Sequence, residues 1–231
     1  MNLDSLFSPT GKSLHKIVVG QSGSGKSYFL EAGAKVHLKQ NNDPNFRIIY
    51  FSPKQEGFID LLPKDKKKRP IGLVSDVPSM LKNIERQTLT VFYPDSEGLE
   101  DTMDETIESL FEMRDLNPDM KTTLIIDDAQ VFLSSRKSAS ESFRRLALLG
   151  RSRSFNAIFV SHGLILNKTL EGQIDSLYFF TLPASVHWKS GEERYGFNPE
   201  PYVSELKKVP YSFVGFDVRT SKARMYNPIT I

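Results

Sequence analysis

Lys26 and Ser27 close the run Gly20-Gln21-Ser22-Gly23-Ser24-Gly25-Lys26-Ser27, whose spacing is the G-x-x-x-x-G-K-[ST] phosphate-binding pattern. Glycines let the backbone curl so that its N–H groups can face phosphate oxygens. A helix beginning at the same point adds the positive end of its dipole. On this pattern Lys26 reaches the β- and γ-phosphates and the Ser27 hydroxyl ligates Mg²⁺. Gly20 through Tyr28 then form the nucleotide cradle. A plain Gly/Ser turn accounts for the glycines but not for the Lys-Ser pair that follows the last of them.

A second constellation lies a hundred residues on. Thr122-Thr123-Leu124-Ile125-Ile126 is strand-forming and ends in Asp127-Asp128. A buried strand that ends in Asp beside a phosphate loop completes the Mg²⁺ site of P-loop enzymes. Asp127 is expected to hold the metal, directly or through water. Asp128 points differently and can polarise a water aimed at the γ-phosphate. Taken alone, the pattern also fits a strand running into an acidic turn. Lys26 and Ser27 upstream are what favour the catalytic reading.

The elements that must position these groups are legible around them. Ile17-Val18-Val19 has the β-branched, apolar character of a buried parallel strand. The helix from Lys26 is expected to reach about His37, before the turn signal Asn41-Asn42-Asp43-Pro44. Residues 47–51 read as a second strand. Ser52-Pro53-Lys54 then falls at the carboxyl edge of the sheet, where open α/β folds bind ligands. Residues 71–74 and 89–93 read as short strands and 77–86 as a helix. In 99–116 Met103, Ile107, Leu110 and Phe111 recur at helical spacing, with acidic residues elsewhere. Residues 138–149 form another helix, with Ser140 as a candidate N-cap and Gly150 at its end. Residues 156–162 and 177–181 are further strands. Residues 184–208 are helical and interrupted, and 211–218 pairs with 222–226 as a terminal hairpin. Residues 1–14 read as a loop or short edge element.

This order predicts an α/β fold: a mostly parallel sheet with helices on both faces and a C-terminal β-hairpin. A length of 231 residues suits a single domain, with a core over about 15–182 and an extension over about 183–231. The formal charge of +2 supplies no strong overall field toward nucleic acid, so any such contact must come from local patches or several copies. One such patch is Lys64-Asp65-Lys66-Lys67-Lys68-Arg69, which is either a solvated loop or a contact for phosphate backbones; Lys207-Lys208 is another. With no cysteine, disulfides, thiolate metal sites and cysteine nucleophiles are excluded. No apolar run approaches the ~20 residues that cross a bilayer, and residues 1–13 lack secretory signal character. The expectation is a soluble protein that is not secreted.

The two motifs together resemble a known group. Gly20 to Ser27 matches Walker A, Leu124-Ile125-Ile126-Asp127-Asp128 matches Walker B, and the segment from Gly150-Arg151-Ser152-Arg153 to Ser161-His162 follows. This arrangement resembles the FtsK–HerA superfamily of DNA-pumping ATPases. Within it the chain is most similar to the genome-packaging ATPases of internal-membrane double-stranded DNA viruses, of tectivirus and poxvirus-like giant-virus type. The resemblance covers roughly residues 15–182. It implies a three-layer RecA-like P-loop fold in which the strand after Walker B lies between the Walker A and Walker B strands. It further implies ATP and Mg²⁺ as ligands and a homo-oligomeric ring, by resemblance a hexamer. The other partners implied are double-stranded DNA held through its backbone and capsid-vertex or viral membrane proteins. The protein would work in the host cytoplasm and at the virion's packaging vertex.

The resemblance also assigns residues. A polar sensor ends the strand after Walker B. Here that position is His162, where the family often has Gln, and a satisfied buried histidine is the competing reading. An arginine finger reaches the neighbouring subunit's nucleotide, and Arg151 and Arg153 lie in the matching segment. Arg144 and Arg145 are weaker candidates that suit surface charge. Asp128 stands where most members have Glu. Two rival functions fit the same motifs: a small-molecule P-loop kinase, in which Arg151 and Arg153 imitate a lid, and a nucleotide-dependent assembly switch without translocation.

Overall fold

The computed structural model describes residues 4–7, 15–133, 139–164, 168–182, 185–198 and 200–229. In chain order the first half comprises α1 (Asp4–Phe7), β1 (His15–Val19), α2 (Lys26–Gln40), β2 (Phe46–Phe51), β3 (Leu73–Val74), α3 (Val77–Ile84), β4 (Leu89–Phe92) and α4 (Leu99–Leu116). The second half comprises β5 (Lys121–Ile126), α5 (Glu141–Leu149), β6 (Phe155–Ser161), α6 (Lys168–Glu171), β7 (Ile174–Phe179), α7 (Ser185–Tyr195), α8 (Glu200–Lys208), β8 (Phe213–Asp217) and β9 (Lys222–Tyr226).

The nine strands of the described residues join one sheet in the order β3-β4-β2-β5-β6-β1-β7-β8-β9. The pairings from β3 through β7 are parallel, and β7-β8 and β8-β9 are antiparallel. β1 and β6 are buried along their whole length, which is why Ile17-Val18-Val19 and Ala157-Ile158-Phe159-Val160 read as apolar runs without alternation. β9 closes the sheet as an edge strand carrying Lys222 and Arg224, charges that discourage further strand addition.

Two apolar layers cover the sheet. On one face Met80 and Ile84 of α3, Ile107, Leu110 and Phe111 of α4, and Phe143 and Leu146 of α5 pack with Ile17, Ile49 and Leu124. On the other, Leu6 and Phe7 of α1 and Phe29, Leu30 and Ala34 of α2 pack with Val18, Ile48, Ile125 and Ile158. The structure therefore has three layers, and the strand β6 lies between β5 and β1 as the resemblance implies.

His15 fixes the register at the start of β1. Its Nδ1 accepts from the Ala157 N–H at 3.0 Å, and its Nε2 lies 3.1 Å from the Leu146 carbonyl at the end of α5. Burial pushes its pKa down to about 4, so the ring is neutral and Nε2–H donates.

Several boundaries differ from the sequence reading. Part of the N-terminal stretch is helical: α1 forms because Leu6 and Phe7 bury against α2. The rest of residues 1–14 lies outside the described residues. α2 runs on to Gln40, because Leu38-Lys39-Gln40 are helix formers and Asn41 is the first residue to leave it. β7 starts at Ile174, earlier than expected. α5 starts at Glu141 with Ser140 as its N-cap, and Ser138 lies outside the described residues. The terminal hairpin is shorter than expected: Tyr211 leaves it, with φ at 63°.

Candidate functional site

Because β1, β2, β5 and β6 are parallel, their carboxyl ends lie along one edge of the sheet. Gly20, Ser52, Asp127 and His162 are the residues that leave those four ends. A pocket of about 270 Å³ opens there, lined by residues 22–28 of the phosphate loop together with Lys54, Glu56, Asp127, Asp128, His162 and Tyr211.

The loop is held by close backbone packing. A Cβ on Gly20 would lie 2.6 Å from the Cβ of Phe180 and 2.6 Å from Ser24 Oγ, so only glycine fits. The Gln21 N–H donates to the Thr181 carbonyl at 2.8 Å, tying the loop to the segment after β7. Gly25 takes φ 99° and ψ 9° as the N-cap of α2, a left-handed conformation natural to glycine. No side chain caps this helix end and its first turn carries no acid. The N-terminus is left polar and electropositive, which suits a phosphate.

Lys26 Nζ donates to the Gly20 carbonyl at 2.6 Å and to the Gln21 carbonyl at 2.9 Å. Burial is the main reason its pKa falls to about 8; the Asp127 charge opposes the drop and the Lys54 charge adds to it. Ser27 and Tyr28 are exposed at the pocket wall. Gly20 and Gln21 contribute carbonyls to the lysine rather than lining the pocket itself.

Asp127 follows β5, and its N–H donates to the Phe51 carbonyl at 2.9 Å. Its Oδ2 accepts from the Tyr50 hydroxyl at 3.0 Å and the Ser52 hydroxyl at 3.3 Å, and its Oδ1 accepts from the Asp128 N–H at 3.0 Å. Burial, and then the Asp128 charge, push the Asp127 pKa up. A carboxylate so placed is short of positive charge, which is what a bound divalent cation supplies. The donor set also fits: a Mg²⁺ in such a site takes one or two protein oxygens plus phosphate oxygens and water. No group of three or more His, Cys, Asp or Glu that could form an all-protein cage is found among the described residues.

Asp128 turns away from its neighbour because its backbone is left-handed, with φ 50° and ψ 42°. Lys54 Nζ lies 2.7 Å from its Oδ2. Its Oδ1 accepts from Gln130 Nε2 at 3.0 Å and faces His162 Nε2 at 3.2 Å. The His162 side chain is 38% exposed and opens on the pocket, so it is not a satisfied core histidine.

Arg151 and Arg153 lie elsewhere. They precede β6, at the amino edge of the sheet, while the pocket is at the carboxyl edge. Arg153 is paired with Asp115, and its carbonyl accepts from Arg114 Nε at 2.9 Å. Arg151 is exposed, and among the described residues no hydrogen bond or ion pair engages its guanidinium. Arg145 pairs with Glu108 and lies over the Phe111 ring, and Arg144 pairs with Glu141, so both have structural partners.

Sequence reasoning places Ser52 and Lys54 at the right edge but gives them no role. It misses Tyr50, Glu56, Gln130 and Tyr211. The alternation of Tyr50 with Ser52 at the end of a strand beside Asp127 is a usable signal. Tyr211 carries none, since only the fold brings it against Gly25, where a Cβ would lie 3.0 Å from Tyr211 Cδ1.

No protein-family model matches the sequence, and no curated protein sequence matches it. Solved structures do match. The genome packaging NTPase B204 from Sulfolobus turreted icosahedral virus 2, in complex with sulfate, aligns with a TM-score of 0.71 at 15% identity, over 94% of this chain and 98% of that one. B204, the DNA-packaging ATPase from Sulfolobus Turreted Icosahedral Virus, aligns with a TM-score of 0.63 at 16% identity, over 100% of both chains. The cytoplasmic domain of the Thermomonospora curvata Type VII Secretion ATPase EccC aligns with a TM-score of 0.61 at 13% identity, over 94% of this chain and 25% of that one. The chain has the α/β P-loop NTPase fold of these ATPases.

Proposed function

We propose that this chain is an ATP-hydrolysing double-stranded DNA translocase of FtsK–HerA type that packages a viral genome into a preformed capsid. The observation that carries the enzymatic half is the convergence of Lys26, Ser27, Asp127 and Asp128 on one pocket. The packaging half draws on the fold shared with proteins described as genome-packaging ATPases.

In this reading the loop N–H groups and Lys26 bind the phosphates. Ser27 and Asp127 would hold Mg²⁺, which when bound neutralises charge on the β- and γ-oxygens. Tyr50 and Ser52 fix the Asp127 carboxylate by their hydrogen bonds. Asp128 accepts from the attacking water and orients it in line with the leaving group. The arginines before β6 sit at the opposite edge of the sheet from their own subunit's pocket. An exposed Arg151 from the next subunit of a ring, a hexamer by resemblance, supplies the missing charge. Arg153, held by Asp115, is the weaker candidate.

DNA contact is assigned to the turn at residues 64–70. Asp65 Oδ1 accepts from the N–H groups of Lys67 and Arg69, and its Oδ2 pairs with the Arg69 guanidinium, so the turn is folded and displays its lysines. It hangs beside β3, and β4, β2, β5 and β6 separate that strand from β1. At ~4.8 Å per strand this puts β3 about 24 Å across the sheet from the phosphate-loop strand and about 10 Å from β2, after which the pocket residues Lys54 and Glu56 come. Six copies of such a turn in a ring would compensate for a nearly neutral subunit. Host cytoplasm and the packaging vertex, with capsid or viral membrane proteins as partners, are the locations this function requires. No helix among the described residues is long and apolar enough to cross a membrane.

The test is Mg²⁺-dependent ATP turnover measured with and without double-stranded DNA. Stimulation by DNA with no small acceptor supports the motor. Turnover indifferent to DNA in an assembled ring removes it, and transfer of phosphate to a small acceptor replaces it with a kinase.

A further inference from the structure

Both oxygens of the Asp128 carboxylate are engaged by protein, and its more accessible partner is a cation on Oδ2. Gln130 and His162 occupy Oδ1 at 3.0 and 3.2 Å, and Lys54 Nζ sits on Oδ2 at 2.7 Å. A carboxylate in that condition is poorly placed to accept from a water. Asp128 itself cannot move far: its side chain is only 10% exposed and its backbone leaves β5 in a left-handed turn. Lys54 can move. Its side chain is 44% exposed, on a flexible stem, just beyond the end of β2.

An ion pair with one half-exposed partner contributes little stability, so it is weak enough to exchange. The alternative acceptor would be close. Lys54 and Lys26 line the same pocket, and the charge of Lys54 helps hold the Lys26 pKa down. Two ammonium groups therefore face one volume beside an uncapped helix N-terminus. A γ-phosphate brings more negative charge and more acceptor oxygens to that volume than one carboxylate does.

We propose that Lys54 is a γ-phosphate-sensing latch: it holds Asp128 while no γ-phosphate is present, and it transfers to the γ-phosphate of a bound nucleoside triphosphate, freeing Asp128 Oδ2 for the attacking water. No bond to carbon or phosphorus changes in this step; one ammonium group exchanges one anionic partner for another. His162 and Gln130 keep Asp128 Oδ1 and hold the carboxylate in place during the exchange. The proposal rests on the nucleotide-site reading above and adds to it a residue that reports which nucleotide is bound.

The test is calorimetric binding of ADP and of the non-hydrolysable β,γ-methylene analogue of ATP to the whole chain, with turnover measured separately. Lys54→Met should weaken the analogue about tenfold while changing ADP by less than about twofold, because only the triphosphate is deprived of a charge-assisted hydrogen bond. Lys54→Arg should restore much of the difference. Asp128→Asn releases the lysine beforehand, so it should tighten the analogue about threefold, and this gain should vanish in the Lys54→Met/Asp128→Asn double variant. Equal weakening of both nucleotides by Lys54→Met, or no gain from Asp128→Asn, overturns the latch and leaves the nucleotide site standing. Failure of the unmodified chain to bind either nucleotide overturns both.

Discussion

Gly20 and Phe180 are in contact at a distance that admits no side chain on residue 20: a Cβ there would lie 2.6 Å from the Phe180 Cβ and 2.6 Å from Ser24 Oγ. The phosphate loop is thus seated on the segment that follows β7. Gly20→Ala must push the loop or that segment aside. We expect a destabilisation of about 1–3 kcal/mol, the usual range for overpacking a filled interior. Because the displaced atoms include the carbonyl that receives Lys26, nucleotide binding should fall as well. Thermal melting with and without ATP checks both. An unchanged melting temperature with full nucleotide binding would show that the contact is not confining.

Lys26 gives a pH signature. Its folded-state pKa of about 8 lies below the ordinary lysine value of 10.5, burial being the larger cause. The unfolded chain therefore binds more protons between those values, and this residue's contribution to nucleotide-free stability rises as pH climbs from 8 to 10.5. Phosphate affinity moves the opposite way, since it needs the charged amine. The charges that face Lys26 are Asp127, Asp128 and Lys54, and Lys54 is held charged through this window by Asp128. ATP affinity should drop about tenfold between about pH 7 and pH 9, as the charged fraction falls. A flat profile over that interval is the adverse result.

Much of this site is written locally in the chain. The cradle from Gly20 to Ser27 and the strand ending at Asp127 are contiguous stretches, so their chemistry can be read without the fold. The helix α4 is legible to the residue because Met103, Ile107, Leu110 and Phe111 share one face and acids fill the others. What cannot be read depends on tertiary contact. Tyr211 looks like the first residue of a strand, yet its positive φ takes it out of the hairpin and against Gly25. Strand order places Lys54 at the sheet edge, but its pairing with the distant Asp128 follows only from β2 lying beside β5. α1 shows no sequence signal because four residues are too few for periodicity, and its burial under α2 is a long-range event.

Arg151 and Arg153 differ in a way that mutation can separate. Arg153 is committed to Asp115, and that exposed pair is worth at most ~1 kcal/mol. Arg153→Ala should lower stability slightly and leave turnover close to normal. Arg151→Ala should leave folding and ATP binding intact and reduce turnover in the assembled ring about a thousandfold, the scale expected on removing an arginine finger. Mixing Arg151→Ala subunits with Lys26→Ala subunits should recover part of the activity, because each supplies what the other lacks across an interface. No recovery in mixed rings, with assembly verified, would remove Arg151 from that role.

The turn around Asp65 sets the last expectation. Asp65 accepts from two backbone N–H groups and from Arg69, so it organises the turn while Lys66, Lys67 and Lys68 remain exposed. If these lysines meet DNA phosphates, replacing all three with Ser should leave basal ATP turnover unchanged, since none of them lines the nucleotide pocket. DNA affinity should fall. The slope of log affinity against log salt should become shallower by about 0.9 for each phosphate that the variant no longer neutralises. Asp65→Ala keeps every lysine and releases Arg69 from its acid, so it should loosen the turn without making the salt slope shallower. A triple variant that weakens DNA binding but keeps the original salt slope would place the phosphate-binding surface elsewhere, with the Lys207-Lys208 end of α8 the next to test by the same substitution.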